Sequence, residues 1–262
     1  MSFLRGIYII WYRDLLRFWH DKMRMGTMMM FPLLFLFIFG SGLSKSMGLL
    51  GGGVDFVQFM YPGIIGMTVL MSSFMGATSV VWDREFGFLK EVLVAPINRA
   101  SVAIGKTLGS ATIALIQGLI ILILAPVIGV SLPGWTVIKL LPLMFLLAAC
   151  LGSLGVLLAT RIRSMEAFQA LMPILTFPMI FLSGVFFPME GLPVWMNVLV
   201  KLNPATYGIT PIRQVVLGTS EGTYFGITLF GHTLSLWQDV VILAAFGVTM
   251  LILAMWSFSK QE

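Results

Sequence analysis

The chain has 262 residues, of which 58% are hydrophobic and only 10% are charged, and its mean hydropathy is +0.99. Soluble domains carry about 25% charged residues, so this composition excludes a soluble globular protein. The formal net charge of +5 comes from basic residues spread along the chain rather than from one basic patch, which argues against nucleic acid as a partner.

Six apolar runs are long enough to cross a bilayer core, which requires about 20 apolar residues in a helix. Their continuous character favours helices over the alternating strands of a membrane barrel. The sequence therefore predicts an all-α integral membrane protein with six transmembrane helices. The predicted spans are residues 25–43, 59–81, 107–128, 140–160, 167–187 and 240–258.

The distribution of basic residues predicts how these spans are oriented. With a cytoplasmic N-terminus, only four of the 16 Lys and Arg residues fall on the outer side, namely Lys45, Lys139, Lys201 and Arg213. This asymmetry satisfies the positive-inside rule. We therefore expect a multi-pass protein of the cell membrane, the inner membrane in a two-membrane cell, with both termini in the cytoplasm.

The first 24 residues predict an amphipathic helix at the membrane interface. Its polar side carries Asp14, His20 and the four interfacial-helix candidates Arg13, Arg17, Asp21 and Arg24; its apolar side carries Tyr8, Trp11, Tyr12, Leu15, Phe18 and Trp19. Aromatic rings suit the headgroup region. The pattern fits a membrane anchor and a helix that also docks a partner equally well.

The second and third predicted spans are joined by residues 82–106, WDREFGFLKEVLVAPINRASVAIGK. This loop is both charged and semi-apolar, and exposed apolar side chains favour protein docking over a merely solvated loop. Pro96 predicts a break after a short cytoplasmic helix. The stretch ASVAIGKT resembles a phosphate-binding loop, but its first glycine is missing and no strand precedes it, so we expect it to begin a membrane helix and not to bind ATP.

Residues 184–217, between the fifth and sixth spans, are too interrupted by proline to cross the membrane. Two short amphipathic helices are expected, over 193–202 and 204–217, with Asn203 as an N-cap followed by Pro204 at the first helical position. Irregular backbone at this depth favours a lid or gate at the outer face. A purely structural outer cap is the alternative.

Groups that could perform catalysis or bind metal are sparse. The only two histidines, His20 and His232, are predicted on opposite sides of the membrane, and ionisable residues are nearly absent from the predicted spans. We therefore expect no catalytic, metal or cofactor site in this chain, which argues against a membrane enzyme or a proton-driven pump.

The stretches DREFGFLKEVLVAPINRASVAIGK and FLSGVFFPMEGLPVWMNVLVKLNPATYGITPIR resemble the two hallmark regions of type-2 ATP-binding-cassette export permeases. The similarity covers nearly the whole chain, as one transmembrane permease domain over residues 1–262. It is strongest to the daunorubicin-resistance and nodulation-factor exporter branch, and weaker to exporters of lipid-linked polysaccharides.

This resemblance implies a homodimeric pathway driven by two separate ATPase subunits, which would bind ATP and Mg²⁺. It places the ATPase-coupling helix in the first cytoplasmic loop, at Glu85, Phe88, Leu89, Lys90, Glu91, Leu93, Pro96 and Arg99. It places an extracellular gate in the outer segment, at Gly184, Phe187, Pro188, Asn203, Pro204, Tyr207 and Arg213.

The function implied is export of an amphiphilic drug, lipid or lipid-linked glycan from the cytoplasm. Besides the ATPase and a second copy, membrane lipid is the expected partner. The alternative from another class is an ATP-independent channel or membrane scaffold.

Overall fold

A computed structural model describes residues 3–38, 49–50, 54–87, 98–130, 132–186, 189, 191–218, 226–229 and 232–260. Within these ranges the chain forms nine α-helices: α1 Phe3–His20, α2 Lys22–Phe37, α3 Phe56–Glu85, α4 Arg99–Ile123, α5 Gly134–Arg161, α6 Met165–Phe181, α7 Val194–Leu202, α8 Pro204–Leu217 and α9 Leu236–Ser259. Two antiparallel two-residue ladders, β1 Leu49–Leu50 with β2 Val54–Asp55 and β3 Thr228–Leu229 with β4 His232–Thr233, are the described strands. The predicted all-α membrane class is confirmed.

Among the described residues, four helices are long and apolar enough to cross a membrane, Val57–Glu85 within α3 together with α4, α5 and α9. They correspond to the second, third, fourth and sixth predicted spans. Helix α6 has 17 residues and ends at Phe181 rather than at 187, and α2 has 16 residues. Residues 39–43 of the first predicted span lie outside the described ranges, so the six-span count stays a prediction.

Helices extend into the predicted loop 82–106 from both sides, and the second of them follows Pro96 as predicted. Helix α3 continues to Glu85, and α4 already begins at Arg99, where the side chain of Asn98 caps it by accepting from the amide of Ala100. The apolar runs marked only the most apolar parts of these helices. Both helices continue because their charged ends find partners inside the protein, as described below.

Helix α3 is the centre of the bundle. In its most apolar stretch of 18 residues 89% are buried, whereas in the corresponding stretch of the peripheral α9 only 22% are buried. It packs against α2, α4, α5, α6 and α8. Small residues permit the close approach: a Cβ on Gly76 would lie 2.4 Å from Cβ of Ser110 on α4, and a Cβ on Gly66 would lie 2.4 Å from Cγ1 of Ile209 on α8. The small-residue pattern of α3 therefore serves packing within one chain.

Candidate functional site

One end of the bundle collects the C-terminal ends of α3, α5 and α9 with the N-terminal ends of α4 and α6. We call it the inner end, because the positive-inside rule predicts that it faces the cytoplasm. Helix α1 packs along α4 at this end. The opposite end, with α7 and α8, is the outer end.

A buried ion cluster joins three helices at the inner end. The ammonium of Lys106 on α4 donates to Oδ1 of Asp14 on α1 at 3.0 Å, to Oδ2 of Asp83 on α3 at 2.6 Å, and to the hydroxyl of Ser79 at 3.0 Å. Lys106 is 2% exposed, and both carboxylates are buried. Since every N–H of the ammonium has an acceptor, the charges compensate one another instead of remaining isolated in a low dielectric.

Two arginines of α1 complete this cluster. Arg13 donates to Asp83 at 2.5 Å and to Asp14 at 3.2 Å, and Arg17 lies 3.6 Å from Asp83. Burial disfavours the charge of Arg13, but the carboxylates of Asp83 and Asp14 outweigh it and raise the pKa of the guanidinium. We call Arg13, Asp14, Asp83 and Lys106 the inner ion cluster.

The glycines of ASVAIGKT and its neighbourhood explain how α1 reaches α4. A Cβ on Gly105 would lie 2.9 Å from Cβ of Ile10, and one on Gly109 would lie 3.2 Å from Cβ of Asp14. The stretch lies inside α4, as predicted, and its glycine and lysine serve helix packing and ion pairing. Sequence analysis missed the cluster; the available signal was one acid on each of two helices facing a lysine at the start of a third.

The predicted interfacial helix differs from α1 in extent and in which face is buried. Helix α1 ends at His20, whereas the predicted helix continued to residue 24. Asp21 caps the next helix by accepting from the amide of Arg24. Arg24 therefore belongs to α2, where its guanidinium donates to the carbonyl of Met75. Asp14 and Phe18, assigned to opposite faces, are both buried, because the ion cluster pulls part of the polar side into the protein. Helix α1 exposes Tyr8, Tyr12 and Trp19.

Charged residues flanking the predicted first cytoplasmic loop hold other helix ends at the inner end. Arg84 donates to the carbonyls of Thr160 and Ile162 at the end of α5, both at 2.8 Å. Glu85 accepts from the amide of Met165 at the start of α6, and Arg99 donates to the carbonyl of Ser259 at the end of α9. The two arginines thus lie at C-terminal helix ends and the glutamate at an N-terminal end, which are the positions that the helix dipole favours for positive and negative charge.

Of the predicted coupling residues, the structure thus places Glu85 and Arg99 at helix ends of the inner face. The other six, Phe88, Leu89, Lys90, Glu91, Leu93 and Pro96, lie outside the described residues, as do Phe187 and Pro188 of the predicted gate. The ATPase-contact role of the first group and the gating role of the second stay predictions.

At the outer end, the two short helices are found where predicted, as α7 and α8. Asn203 caps α8 by accepting from the amide of Ala205, with Pro204 at the first helical position. Its amide also donates to the carbonyl of Met179 at 2.7 Å, which ties the cap to α6. Thr206 reinforces this junction by donating to the carbonyls of Val200 and Leu182.

Arg213 is 1% exposed, although sequence analysis placed it only on the outer side. Its guanidinium donates to the carbonyls of Gly184 and Val185, and it stacks over the ring of Phe59 at 4.3 Å. Gly184 has a φ of +75°, which favours glycine there. The arginine therefore fastens α8 to the turn after α6 and to the start of α3.

Tyr207 donates from its hydroxyl to the carbonyl of Lys201, closing α8 against α7. Asp239, in the first turn of α9, was not among the predicted site residues. It is fully buried, and neither carboxylate oxygen has a hydrogen-bond partner among the residues that the structure describes. At the outer end, α8 is thus held by α6, by the turn after α6 and by the start of α3, and α7 is held by α8.

Comparison with known proteins connects this arrangement to membrane transport. Residues 5–217 match the family described as ABC-2 type transporter. The chain is 30% identical over 223 residues to a candidate transport permease, ycf38, of Cyanophora paradoxa, which covers 83% of this chain and 76% of that protein. It is 26% identical over 230 residues to the inner membrane transport permease YadH of Escherichia coli K12, covering 85% and 86%. Identity to nodulation protein J of Rhizobium leguminosarum bv. trifolii is 25% over 190 residues, covering 71% of each chain.

Proposed function

The chain belongs to the ABC-2 type transporter family, whose members are transmembrane components of ABC transporters, and we propose that it is the export permease of a complex with two ATPase subunits. Two copies of the chain form the pathway. The ATPase subunits bind ATP and Mg²⁺ and hydrolyse the nucleotide, and this chain supplies the passage and its gate. Both termini lie in the cytoplasm, as the basic residues of the inner end indicate.

The observation that carries this proposal is the inner ion cluster. It joins α1, α3 and α4, and the first cytoplasmic loop connects the last two of these helices. A force applied to that loop therefore acts on three helices together. Arg84, Glu85 and Arg99 extend the connection to the ends of α5, α6 and α9. This is the mechanical property that an ATP-driven displacement requires, because rigid elements must carry it across the membrane.

The outer end supports a gate rather than a further span. Helices α7 and α8 are too short to cross the membrane. Polar contacts of Asn203 and Arg213 fasten α8 to α6 and to the turn after α6, and Arg213 also lies over the ring of Phe59 on α3. Polar contacts that hold a short helix in place can be exchanged for others when the bundle rearranges. We infer that α8 closes the passage at its outer end.

The cargo that fits this chain is an amphiphilic drug, a lipid or a lipid-linked glycan. The bundle interior is predominantly apolar, and its buried charged groups lie towards the inner and outer ends of the bundle. An apolar interior does not stabilise small hydrophilic ions. Export of an amphiphile requires only that its polar portion pass the middle of the membrane.

Site-directed crosslinking in the assembled transporter tests the proposal. Cysteines at Glu85, Leu89 or Glu91, introduced after Cys150→Ala, should crosslink to cysteines of a co-expressed ATPase subunit. A cysteine at Lys139, on the outer end, is the matched control and should not crosslink. Proteoliposomes with both subunits should export a fluorescent amphiphile only with hydrolysable ATP. Failure at all three inner positions in well-expressed variants would contradict the ATPase contact.

A further inference from the structure

Helix α7 exposes a continuous apolar face. Val194, Trp195, Val198, Leu199 and Leu202 are all exposed, and Val194 and Trp195 are 84% and 65% exposed. At 100° per residue these five positions cover about 140° of the helix circumference. An arc of this width on a nine-residue helix requires an apolar environment, and the described part of the chain leaves the arc uncovered.

Three tryptophans show what this environment is. Trp135, Trp195 and Trp237 are each the second residue of a helix, α5, α7 and α9 respectively, and each is exposed by at least 65%. All three helices begin at the outer end. Tryptophan is enriched where a membrane meets water, with its ring in the headgroup region. The shared position therefore places the start of α7 at the outer headgroup level, with its apolar arc against lipid.

A cavity of about 200 Å³ adjoins this arc. Asn197, Val200 and Lys201 of α7 line one side of it, and Gly191, Gly226 and Ile227 line the other. On the helix, Lys201 lies about 20° from Val194, at the edge of the apolar arc. In the part of the chain that the structure describes, no carboxylate lies within ion-pair distance of the Lys201 ammonium, and none of the cavity's lining residues is acidic.

We propose that this cavity and the apolar arc of α7 together bind an anionic phospholipid of the outer leaflet. The acyl chains lie along Val194, Val198 and Leu202, and the phosphate enters the cavity, where Lys201 supplies a positive charge and Asn197 a hydrogen-bond donor. A cation bordering an apolar arc is complementary to a lipid whose anionic group adjoins its chains. Since the carbonyl of Lys201 accepts from Tyr207 of α8, the bound lipid lies against α7 one contact away from α8.

Fluorescence quenching by brominated lipids tests this site in the full chain reconstituted in phosphatidylcholine nanodiscs. The emission of Trp195 is obtained as the difference between the unsubstituted chain and Trp195→Phe. Brominated phosphatidylglycerol and brominated phosphatidylcholine, with the same brominated chains, are compared at equal low mole fraction. We expect about fivefold enrichment of the anionic lipid at Trp195, the factor equivalent to about 1 kcal/mol for one lysine near anionic lipid.

Lys201→Gln should reduce this enrichment to the value for phosphatidylcholine, because it removes the charge and retains a polar side chain. Lys139→Gln is the matched control. Its ammonium also lies at the outer end, 5.6 Å from the ring of Trp135 and outside the cavity, and the enrichment should persist. Equal quenching by both lipids in the unsubstituted chain, or enrichment that survives Lys201→Gln, would overturn the proposal.

Two further outcomes identify a different occupant and would equally overturn the lipid assignment. If neither brominated lipid quenches the emission of Trp195, protein covers the arc, as a second copy of the chain would. If added inorganic phosphate abolishes the enrichment and chloride at the same ionic strength does not, the cavity binds free phosphate. Because the readout is lipid contact and not export, this test is independent of the proposed transport function.

Discussion

The ammonium nitrogen of Lys106 lies 3.0 Å from Oδ1 of Asp14, although the two residues are 92 positions apart in the chain. This contact fixes the N-terminal interfacial helix to the bundle. Lys106 donates to Asp83 as well, so α1 moves with the end of α3 and the start of α4. The helix predicted to lie at the membrane interface is thereby packed against α4 of the bundle.

Removing the ammonium should destabilise the protein strongly. Lys106→Ala leaves the buried carboxylates of Asp14 and Asp83 short of positive charge, and breaking a buried ion network in this way costs about 3–5 kcal/mol. The midpoint of unfolding in detergent, by denaturant or heat, measures the loss. Lys139→Ala, at an exposed lysine of the outer end, should change the free energy of unfolding by no more than about 0.5 kcal/mol.

The double variant Asp14→Asn/Lys106→Ala checks the assignment of this loss. It leaves one fewer buried negative charge for Arg13 to compensate than Lys106→Ala does, so it should recover part of the stability. If Lys106→Ala unfolds no more readily than Lys139→Ala, the inner ion cluster does not hold the three helices together.

Helix contacts in the centre of the bundle predict a contrast between two glycines. A Cβ on Gly76 would lie 2.8 Å from Cα of Ser110, so Gly76→Ala must separate α3 from α4 and should cost about 1–3 kcal/mol. A Cβ on Gly26 of α2 would have no atom within 4 Å among the residues that the structure describes. Gly26→Ala should be neutral or stabilising by up to about 1 kcal/mol, because alanine favours helix. Thermal unfolding of the two variants side by side gives the comparison.

Hydropathy predicted the membrane class and the positions of the long helices because bilayer thickness constrains the length of an apolar run. It could not predict how far α3 and α4 extend beyond their apolar runs. The last turn of α3 carries Asp83 and Arg84, and Lys106 lies near the start of α4. These residues resemble loop residues until their partners on α1 and α5 are known. A charged residue looks the same in the sequence whether it is buried or exposed. Two partners that are 92 positions apart leave no local pattern from which their pairing could be predicted.

The outer segment was predicted more closely because proline and asparagine act locally. Pro204 fixes its own backbone angle and Asn203 caps the amide two residues later, so both ends of the junction between α7 and α8 could be inferred from adjacent residues. The burial of Arg213 and Asp239 depends on α3, α6 and α9 and had no such local signal. The exposed arc of α7 also required the fold, since amphipathicity alone does not identify which face remains uncovered.

The cap at Asn203 predicts a graded effect on the gate. Asn203→Ala removes the acceptor for Ala205 and the donor to Met179, and loss of a cap alone costs about 0.5–2 kcal/mol. If the cap forms only in the closed state, the closed-to-open equilibrium shifts by about two- to thirtyfold. Leak of a fluorescent amphiphile from proteoliposomes without ATP should rise accordingly, with assembly of the transporter unchanged.

Asn203→Ser separates the two contacts of this side chain. Serine retains the cap but cannot reach Met179, so its leak should fall between those of the unsubstituted chain and Asn203→Ala. Equal leak from all three would indicate that Asn203 stabilises the fold without biasing the gate.

A reversible tether between α8 and α3 tests whether the outer segment moves during export. A Cβ on Gly66 would lie 3.4 Å from Cβ of Ile209, close to the 3.5–4.5 Å that a disulfide spans. In a Cys150→Ala background, Gly66→Cys/Ile209→Cys should therefore crosslink on oxidation. Replacing Ile209 also removes the side chain that a Cβ at position 66 would meet. The oxidised transporter should lose export and recover it on reduction, while ATPase binding stays unchanged.

Gly247→Cys supplies a matched tether elsewhere in the bundle. A Cβ there would lie 3.2 Å from Cβ of the native Cys150, so its disulfide would join α9 to α5 and leave α7 and α8 untouched. If the gate lies in α8, only the first tether blocks export. If both tethers block it, the whole bundle must rearrange, and the effect of the first is not specific to the outer segment. If export continues at the normal rate with the first tether fully formed, α8 is a fixed cap, and the passage must open elsewhere, because a helix fastened to α3 by a covalent bond cannot uncover it.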